Sequence, residues 1–97
     1  MFARMMRVSA KAGKLDEVKR VYEIEIMPLT QKQKGFKSAT LLIDRKANAG
    51  VSITNWENLA ALEASEASGY LKGVLAQLAP HLSGTPVREV YEVAVAK

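Results

Sequence analysis

The sequence predicts a single α+β domain in which helices cover one face of a four-stranded antiparallel sheet. Alternating apolar residues mark four strands, and apolar residues three and four positions apart mark two helical regions, the second of them broken. Their order along the chain is β-α-β-β-α-β, which is the split βαβ, or ferredoxin-like, arrangement. A length of 97 residues is that of one domain, which we place at residues 1–97.

The first strand and the first helix are predicted from a change in apolar spacing. Residues 2–10 alternate as a strand does, with one face formed by Phe2, Arg4, Met6 and Val8. Residues 14–27 carry a helical apolar stripe, formed by Leu15, Val18, Tyr22, Ile26 and Leu29. Pro28 lacks a backbone N–H and disfavours helical geometry at Met27, so the helix is expected to end or kink there.

A hairpin, a broken helix and a last strand complete the order. The predicted elements are strands 36–45 and 51–56, helices 59–66 and 70–78, and strand 87–96. Asn48 and Gly50 favour a hairpin loop because both residue types tolerate positive φ. Asn58 is expected to cap the first half of the broken helix, and Gly69 to interrupt it.

Apolar residues on both faces of the predicted sheet indicate a homodimer. Helices cover only one face of such a sheet, so the other must be polar or covered by something else. No strand here has a fully polar face, since apolar residues fall on both sides: Met5, Leu41, Leu42, Ile43, Val90 and Val93. The simplest cover is a second copy of the chain, related by a two-fold axis.

The composition argues against several classes of function. The chain has no cysteine, so it has no disulfide or thiolate metal site, which is consistent with a cytoplasmic location. One histidine does not form a typical zinc site, and no stretch approaches the ~20 apolar residues of a membrane span. The net charge of +4 is mild, and aromatic residues for base stacking are not evident. We therefore expect no metal, membrane or nucleic-acid partner, and favour an anionic small molecule.

Motifs spread along nearly the whole chain resemble the antibiotic biosynthesis monooxygenase family. They are SITNWE at residues 52–57, VREVYEV at 87–93, VSAKAGK at 8–14, and KGF at 34–36 before the second strand. The resemblance implies the dimeric α+β barrel fold. It also implies a monooxygenase that uses dioxygen without metal, flavin or other cofactor, on a small aromatic or enolisable metabolite. In such members the deprotonated substrate itself reacts with oxygen, while the protein shapes an apolar cavity and stabilises the anion.

Haem degradation, another activity in this family, is disfavoured by the residues at three positions. Haem-degrading members use an asparagine on the first strand, and a tryptophan and a haem-ligating histidine on the later helices. The corresponding positions here fall near Met6, Ser65 and Leu75, and none matches.

Trp56 and Tyr70 are the candidates for the cavity wall. Trp56, the only tryptophan, ends a strand and could stack on a flat substrate, or could be a core residue that packs the helices against the sheet. Tyr70 begins a helix near the same end and could supply a catalytic hydroxyl, or could belong to an apolar stripe with its hydroxyl at the surface.

His81 and Arg88 are the remaining candidates for chemistry. His81 is the only histidine and could act as the base that starts substrate oxidation, or could be an ordinary surface residue without a carboxylate partner. Arg88, like Arg4 and Arg7, lies in a strand, where arginine is less common. These arginines could bind an acidic substrate bidentately, or could form cross-strand or dimer ion pairs with Glu89 or Glu92.

A second hypothesis assigns the same fold a different class of function. The chain could be a non-catalytic ligand-binding or structural dimer, such as an effector-sensing module. A polar group facing the cavity beside Trp56 favours the enzyme, whereas an interior of leucine, valine and alanine favours the binding module.

Overall fold

The computed structural model describes residues 1–97 and confirms the predicted order of elements and the four-stranded antiparallel sheet. The strands are β1 (Phe2–Ser9), β2 (Phe36–Asp44), β3 (Ala49–Trp56) and β4 (Val87–Glu92). The helical segments are α1 (Leu15–Val21), α2 (Met27–Thr30), α3 (Leu59–Ala67) and α4 (Tyr70–Leu78). A π-helical turn, Tyr22–Ile26, joins α1 to α2, and one 3₁₀ turn, Ala79–His81, follows α4.

Strand β1 lies in the middle of the sheet, which has the order β2-β3-β1-β4. Its first residue, Phe2, lies opposite Trp56 on one side and Glu92 on the other. Because side chains alternate along a strand, Arg4, Met6 and Val8 all point into the layer between sheet and helices, where all three are buried.

The first helix was expected to end or kink at Pro28. It continues through Pro28 to Thr30, so the expectation that it ends there is wrong. The distortion is the π-helical turn just before it, in which the N–H of Met27 donates to the carbonyl oxygen of Tyr22, five residues earlier. A widened turn leaves room for a proline ring and needs no N–H from it. The extra residue also shifts the buried stripe, so that Thr30 is buried and Leu29, expected in the stripe, is exposed.

The second helical region has the predicted cap and the predicted break. The side-chain oxygen of Asn58 accepts a hydrogen bond of 2.8 Å from the N–H of Ala61, which makes it the N-cap of α3. Gly69 separates α3 from α4 with a φ of 88°, a conformation that side chains with a Cβ rarely adopt.

Glycine at position 35 lets the loop before β2 lie directly against α3. Its φ is 81°, and a Cβ there would lie 2.5 Å from the Cβ of Ala61. Its carbonyl oxygen accepts a 2.8 Å hydrogen bond from the N–H of Glu57. The glycine therefore holds this loop next to the end of β3.

Strand β4 is shorter than predicted, because its neighbour β1 does not extend far enough to pair with the predicted residues after Glu92. Glu92 lies opposite Phe2, the first residue of β1, so residues 93–96 have no strand beside them. Only the N–H of Val93 finds a further acceptor, the carbonyl oxygen of Met1, at 2.9 Å.

None of the helices combines the length and apolar character of a membrane-spanning segment.

Candidate active site

A narrow cavity lies between the inner face of the sheet, the π-containing helix and α4. Its free volume is about 30 Å³, which is room for one or two water molecules. Most of its wall is aliphatic, and the polar side chains that reach it are Arg4, Tyr22, Thr30, Ser52, Thr54 and Tyr70. An apolar cavity with a few convergent polar groups is the usual form of a small-molecule site.

Arg4 is a buried cation at one end of this cavity, with only 2% of its side chain exposed. Its Nη1 donates to Ser65 Oγ at 3.0 Å and to Glu66 Oε2 at 3.3 Å. Its guanidinium carbon lies 5.2 Å from the centre of the Trp56 ring, within reach of a cation–π interaction. The hydroxyl of Ser65 donates in turn to the carbonyl oxygen of Leu62 at 2.7 Å, which leaves its oxygen free to accept from Arg4.

Glu66 is shared between Arg4 and a second arginine at the rim of the sheet. Arg88 binds it with two hydrogen bonds, from Nε to Oε2 at 2.6 Å and from Nη2 to Oε1 at 2.8 Å. Partial burial acts to raise the pKa of Glu66, but the guanidinium groups of Arg88 and Arg4 hold that pKa below its usual value. Glu66 is therefore a carboxylate at neutral pH. The cluster of Arg4, Arg88 and Glu66 carries one surplus positive charge.

The hydroxyl of Tyr70 has a defined hydrogen-bond direction. Thr30 Oγ1 donates its single hydrogen to the carbonyl oxygen of Ile26 at 3.0 Å, so it accepts the hydrogen of the Tyr70 hydroxyl with which it is paired. Burial raises the pKa of the Tyr70 phenol above its ordinary value. Tyr70 is therefore a neutral phenol whose oxygen has lone pairs available to the cavity.

A second tyrosine lies deeper in the cavity. The hydroxyl of Tyr22 and Ser52 Oγ are 2.6 Å apart and share a hydrogen bond. Burial raises the pKa of this phenol as well. Tyr22 belongs to the π-helical turn and Ser52 to β3, so the pair ties the helix to the sheet across the cavity.

Of the residues selected from the sequence, Tyr70 lines the cavity and Trp56 lies behind its wall. Trp56 is 0% exposed, and its Nε1 donates to Thr54 Oγ1 at 2.9 Å. Its ring meets that of Phe36 edge to face, with centroids 5.9 Å apart. Trp56 thus contacts the cavity through two lining residues, Thr54 and Arg4, and supports the guanidinium of Arg4 from behind. Arg88, half exposed, contacts the site through Glu66.

The structure does not bring His81 to the same place. Its carbonyl oxygen accepts a 2.8 Å hydrogen bond from the N–H of Lys11, just beyond the end of β1, whereas Arg4 is near the beginning of that strand. Seven residues of extended chain separate these positions by about 20 Å. No three carboxylate, imidazole or thiol groups lie close enough together to hold a metal ion.

Among the partners of the predicted residues, Arg4 was a candidate for binding an acidic substrate, because arginine is less common in strands. The other partners were missed. Glu66, Ser65 and Thr30 lie on helical segments far from β1 in sequence, and their contacts depend on how the helices pack.

The sequence profile of the family described as antibiotic biosynthesis monooxygenase matches residues 1–77, which include Arg4, Trp56 and Tyr70. The chain belongs to the antibiotic biosynthesis monooxygenase family. The resemblance noted in the sequence motifs is thereby confirmed. The match ends before His81 and Arg88, so it does not extend to those two candidates.

Solved structures with the same fold include three that cover nearly the whole of this antibiotic biosynthesis monooxygenase family member. SnoaB, a cofactor-independent oxygenase from Streptomyces nogalater studied as a single-substitution variant, is 22% identical, with 98% of this chain and 94% of that chain covered and a TM-score of 0.81. The NE2512 protein of unknown function from Nitrosomonas europaea is 21% identical, with 99% and 91% covered and a TM-score of 0.81. An antibiotic biosynthesis monooxygenase is 21% identical, with 99% and 100% covered and a TM-score of 0.77. At these identities the likeness establishes the fold.

No curated protein matches this chain in sequence.

The hydrogen bond between Tyr70 and Thr30 predicts coupling between the two side chains. Thr30→Val and Tyr70→Phe each remove one partner while keeping most of the side-chain shape. We expect each single variant to lower the free energy of unfolding, and the double-mutant cycle to give a coupling of about 1 kcal/mol. Denaturant unfolding of the four proteins measures it. A coupling within error of zero would show that the two hydroxyls do not bond in solution.

The lowered pKa of Glu66 predicts a pH-dependent contribution to stability. A carboxylate whose pKa is lower in the folded state stabilises above its unfolded value, here 4.5, and loses that effect as pH falls through the folded value. Glu66→Gln leaves Arg4 buried without its carboxylate. We expect it to cost about 2 kcal/mol near pH 7, below the roughly 3–5 kcal/mol for a fully buried pair because 22% of the Glu66 side chain is exposed.

Urea unfolding at several pH values, with Glu63→Gln as the control, tests this. Glu63 is an exposed carboxylate on the same helix and forms no ion pair. The difference between wild type and Glu66→Gln should shrink below about pH 4.5, whereas Glu63→Gln should resemble wild type throughout. A difference that stays constant with pH would contradict the assignment.

Proposed function

We propose that this protein is a cofactor-independent monooxygenase that acts on a small aromatic or enolisable metabolite, with dioxygen as co-substrate. The observation that carries the proposal is the cavity, in which Arg4 and Tyr70 meet within an aliphatic wall. Membership of the antibiotic biosynthesis monooxygenase family supports it, as does the likeness in fold to a cofactor-independent oxygenase.

The reaction requires a substrate that has either an activated CH₂ group or a ring that carries a hydroxyl. Loss of a proton gives an electron-rich anion, which transfers an electron pair to dioxygen in forming a C–O bond. For a methylene carbon, one oxygen atom then remains as the carbonyl and the other leaves as water with the two substrate hydrogens. The methylene carbon supplies all four electrons that reduce the two oxygen atoms, so no external reductant is needed.

The protein's part in this scheme is positioning, exclusion of water and stabilisation of charge. The aliphatic wall keeps water from the anion, and fixed donors in such a setting stabilise developing negative charge effectively. Tyr70 orients a ligand hydroxyl, Trp56 supports Arg4 from behind, and Arg88 holds Glu66 in place. His81 lies at the far end of β1, so the proposal favours substrates acidic enough to ionise before they bind.

Binding of a substrate requires the cavity to enlarge from about 30 Å³. Ligand sites usually measure ~300–1,000 Å³. Leu71 and Leu75 on α4 are partly exposed and lie at the cavity wall. Because α4 follows the break at Gly69, we propose that its movement opens the cavity.

The closed interior also supports an alternative from a different class of function. In this alternative the protein is a non-catalytic ligand-binding or structural dimer of the same fold. Every enclosed polar side-chain atom already has a hydrogen-bond partner, as expected of a protein that is stable without a ligand.

We also propose that the protein is a homodimer joined through the outer face of the sheet. This face carries large apolar side chains that no helix covers, with Leu42 51%, Val87 55% and Tyr91 50% exposed. Contiguous exposed apolar residues are typical of protein–protein contacts. A second copy, sheet against sheet, covers the same residues on both chains.

Oxygen consumption tests the enzymatic proposal. With a panel of quinols, anthrone-like methylenes and enolisable diketones, assayed at pH values that ionise them, we expect metal-free wild-type protein to consume one dioxygen per substrate molecule oxidised. Arg4→Gln should lower kcat/KM by about 100-fold, the effect of removing one donor to a developing oxyanion. Arg7→Gln is the matched control, since it also breaks a carboxylate pair, with Glu89, but Arg7 is exposed on the opposite face of the same strand. Ligand binding without oxygen consumption across the panel would favour the alternative function.

Light scattering after size exclusion tests the dimer. We expect wild type to have twice the mass of one chain at micromolar concentration, and Leu42→Asp to have the mass of one chain. Ile24→Asp is the control, because Ile24 is 58% exposed but lies on the helical layer. A wild-type monomer, or a monomer produced equally by both substitutions, would contradict an interface at this face.

A further inference from the structure

We propose that Arg4 forms an anion subsite that binds the ionised oxygen of an acidic phenol or enol, while Tyr70 accepts a hydrogen bond from a neighbouring hydroxyl of the same ligand. This inference rests on the cavity named in the proposed function and specifies its substrate class. It concerns recognition, and it holds whether or not the bound ligand is then oxidised.

The guanidinium of Arg4 has N–H donors that no protein group accepts. A guanidinium carries five N–H groups. Both hydrogen bonds of the Arg4 side chain come from Nη1, so Nε and Nη2 donate to no protein acceptor. No fully enclosed polar atom of the protein lacks a partner, so these two nitrogens are in contact with free space. Arg4 lines the cavity and only 2% of its side chain is exposed, so we infer that Nε and Nη2 face the cavity.

The positive charge of Arg4 is only partly compensated by protein carboxylates. Arg4 and Arg88 share a single carboxylate, and Glu66 is bound more closely by Arg88, at 2.6 and 2.8 Å, than by Arg4, at 3.3 Å. The other ionisable groups facing Arg4 are the phenols of Tyr22 and Tyr70, which are neutral at pH 7. A buried charge without full compensation is costly, and a ligand anion placed on the free edge of Arg4 supplies that compensation.

The hydroxyl of Tyr70 can only accept a hydrogen bond from a ligand. Its hydrogen is directed to Thr30, so its oxygen accepts from a ligand and does not donate to one. A ligand that satisfies both groups needs an anionic oxygen for Arg4 and an O–H for Tyr70. Its remaining surface must be apolar to fit against Met6, Val74 and Leu75. A hydroxyphenolate or hydroxyenolate has this pattern.

Three coloured nitroaromatic probes, titrated without oxygen, test each part of the pattern. Nitrocatechol has an acidic hydroxyl and a neighbouring O–H, para-nitrophenol has only the acidic hydroxyl, and para-nitroanisole has neither. The phenolates absorb at longer wavelength than the phenols, so absorbance reports ionisation while calorimetry reports affinity.

We expect wild type to bind para-nitrophenol as the phenolate, about ten- to hundredfold more tightly than para-nitroanisole, because a hydrogen bond to a charged group contributes that much. Nitrocatechol should bind about three- to tenfold more tightly than para-nitrophenol, and Tyr70→Phe should abolish that difference.

Arg4→Gln should abolish the preference for the phenolate, and Arg7→Gln should leave it unchanged. If Arg4→Gln does not fold, Arg4→Lys keeps the buried charge without the fork of donors, and should bind the phenolate more weakly than wild type.

Equal affinity for para-nitrophenol and para-nitroanisole, no spectral shift on binding, or an equal loss in Arg7→Gln would overturn the inference. So would failure of all three probes to bind. Because oxygen is absent, an inert protein that shows the predicted preference would refute the monooxygenase proposal alone, and an active enzyme without the preference would refute this inference alone.

Discussion

The buried guanidinium of Arg4 is the interaction on which the candidate site depends. It lies on the central strand, above the ring of Trp56 from β3 and against Ser65 and Glu66 from α3. A cation in this position must be compensated, which explains why a carboxylate and a hydroxyl of α3 both face it. One side chain therefore joins the centre of the sheet, the end of the hairpin and the helical layer, and its Nε and Nη2 still have no protein acceptor.

The π-helical turn supplies the other half of the site. In a regular α-helix two turns take about 7.2 residues, so residues eight apart drift off a common face. The extra residue in Tyr22–Ile26 brings Tyr22 and Thr30 onto the same side, and both line the cavity. Tyr22 reaches Ser52 on the sheet, and Thr30 fixes the hydroxyl of Tyr70 on α4. The π-helical turn thus determines where the polar groups of Tyr22 and Thr30 lie in an otherwise aliphatic wall.

Local patterns in the sequence were enough for the fold but for only part of the site. Apolar spacing, the Asn58 cap and Gly69 located the elements, because each depends on a few adjacent residues. The sequence left open whether the helix ends or kinks at Pro28, because local propensity allows both and tertiary packing retains the widened turn. The cross-strand ion pair considered for the strand arginines forms between Arg7 and Glu89, whereas Arg88 shares the inner face with Arg4 and binds Glu66. Tyr70 was placed near Trp56, whereas His81 proved to be at the opposite end of β1.

The most direct measurement of the central claim is a proton–nitrogen correlation spectrum of the arginine side chains, recorded with and without para-nitrophenol. If Arg4 holds free donors towards the cavity, its Nε–H signal, identified by its absence in Arg4→Lys, will exchange slowly with water. On addition of the phenolate it will shift markedly, while the signal of Arg45, an exposed arginine whose Nε has no protein acceptor, stays in place. A signal for Arg4 that exchanges as fast as that of Arg45, or that does not respond to the ligand, would contradict the account.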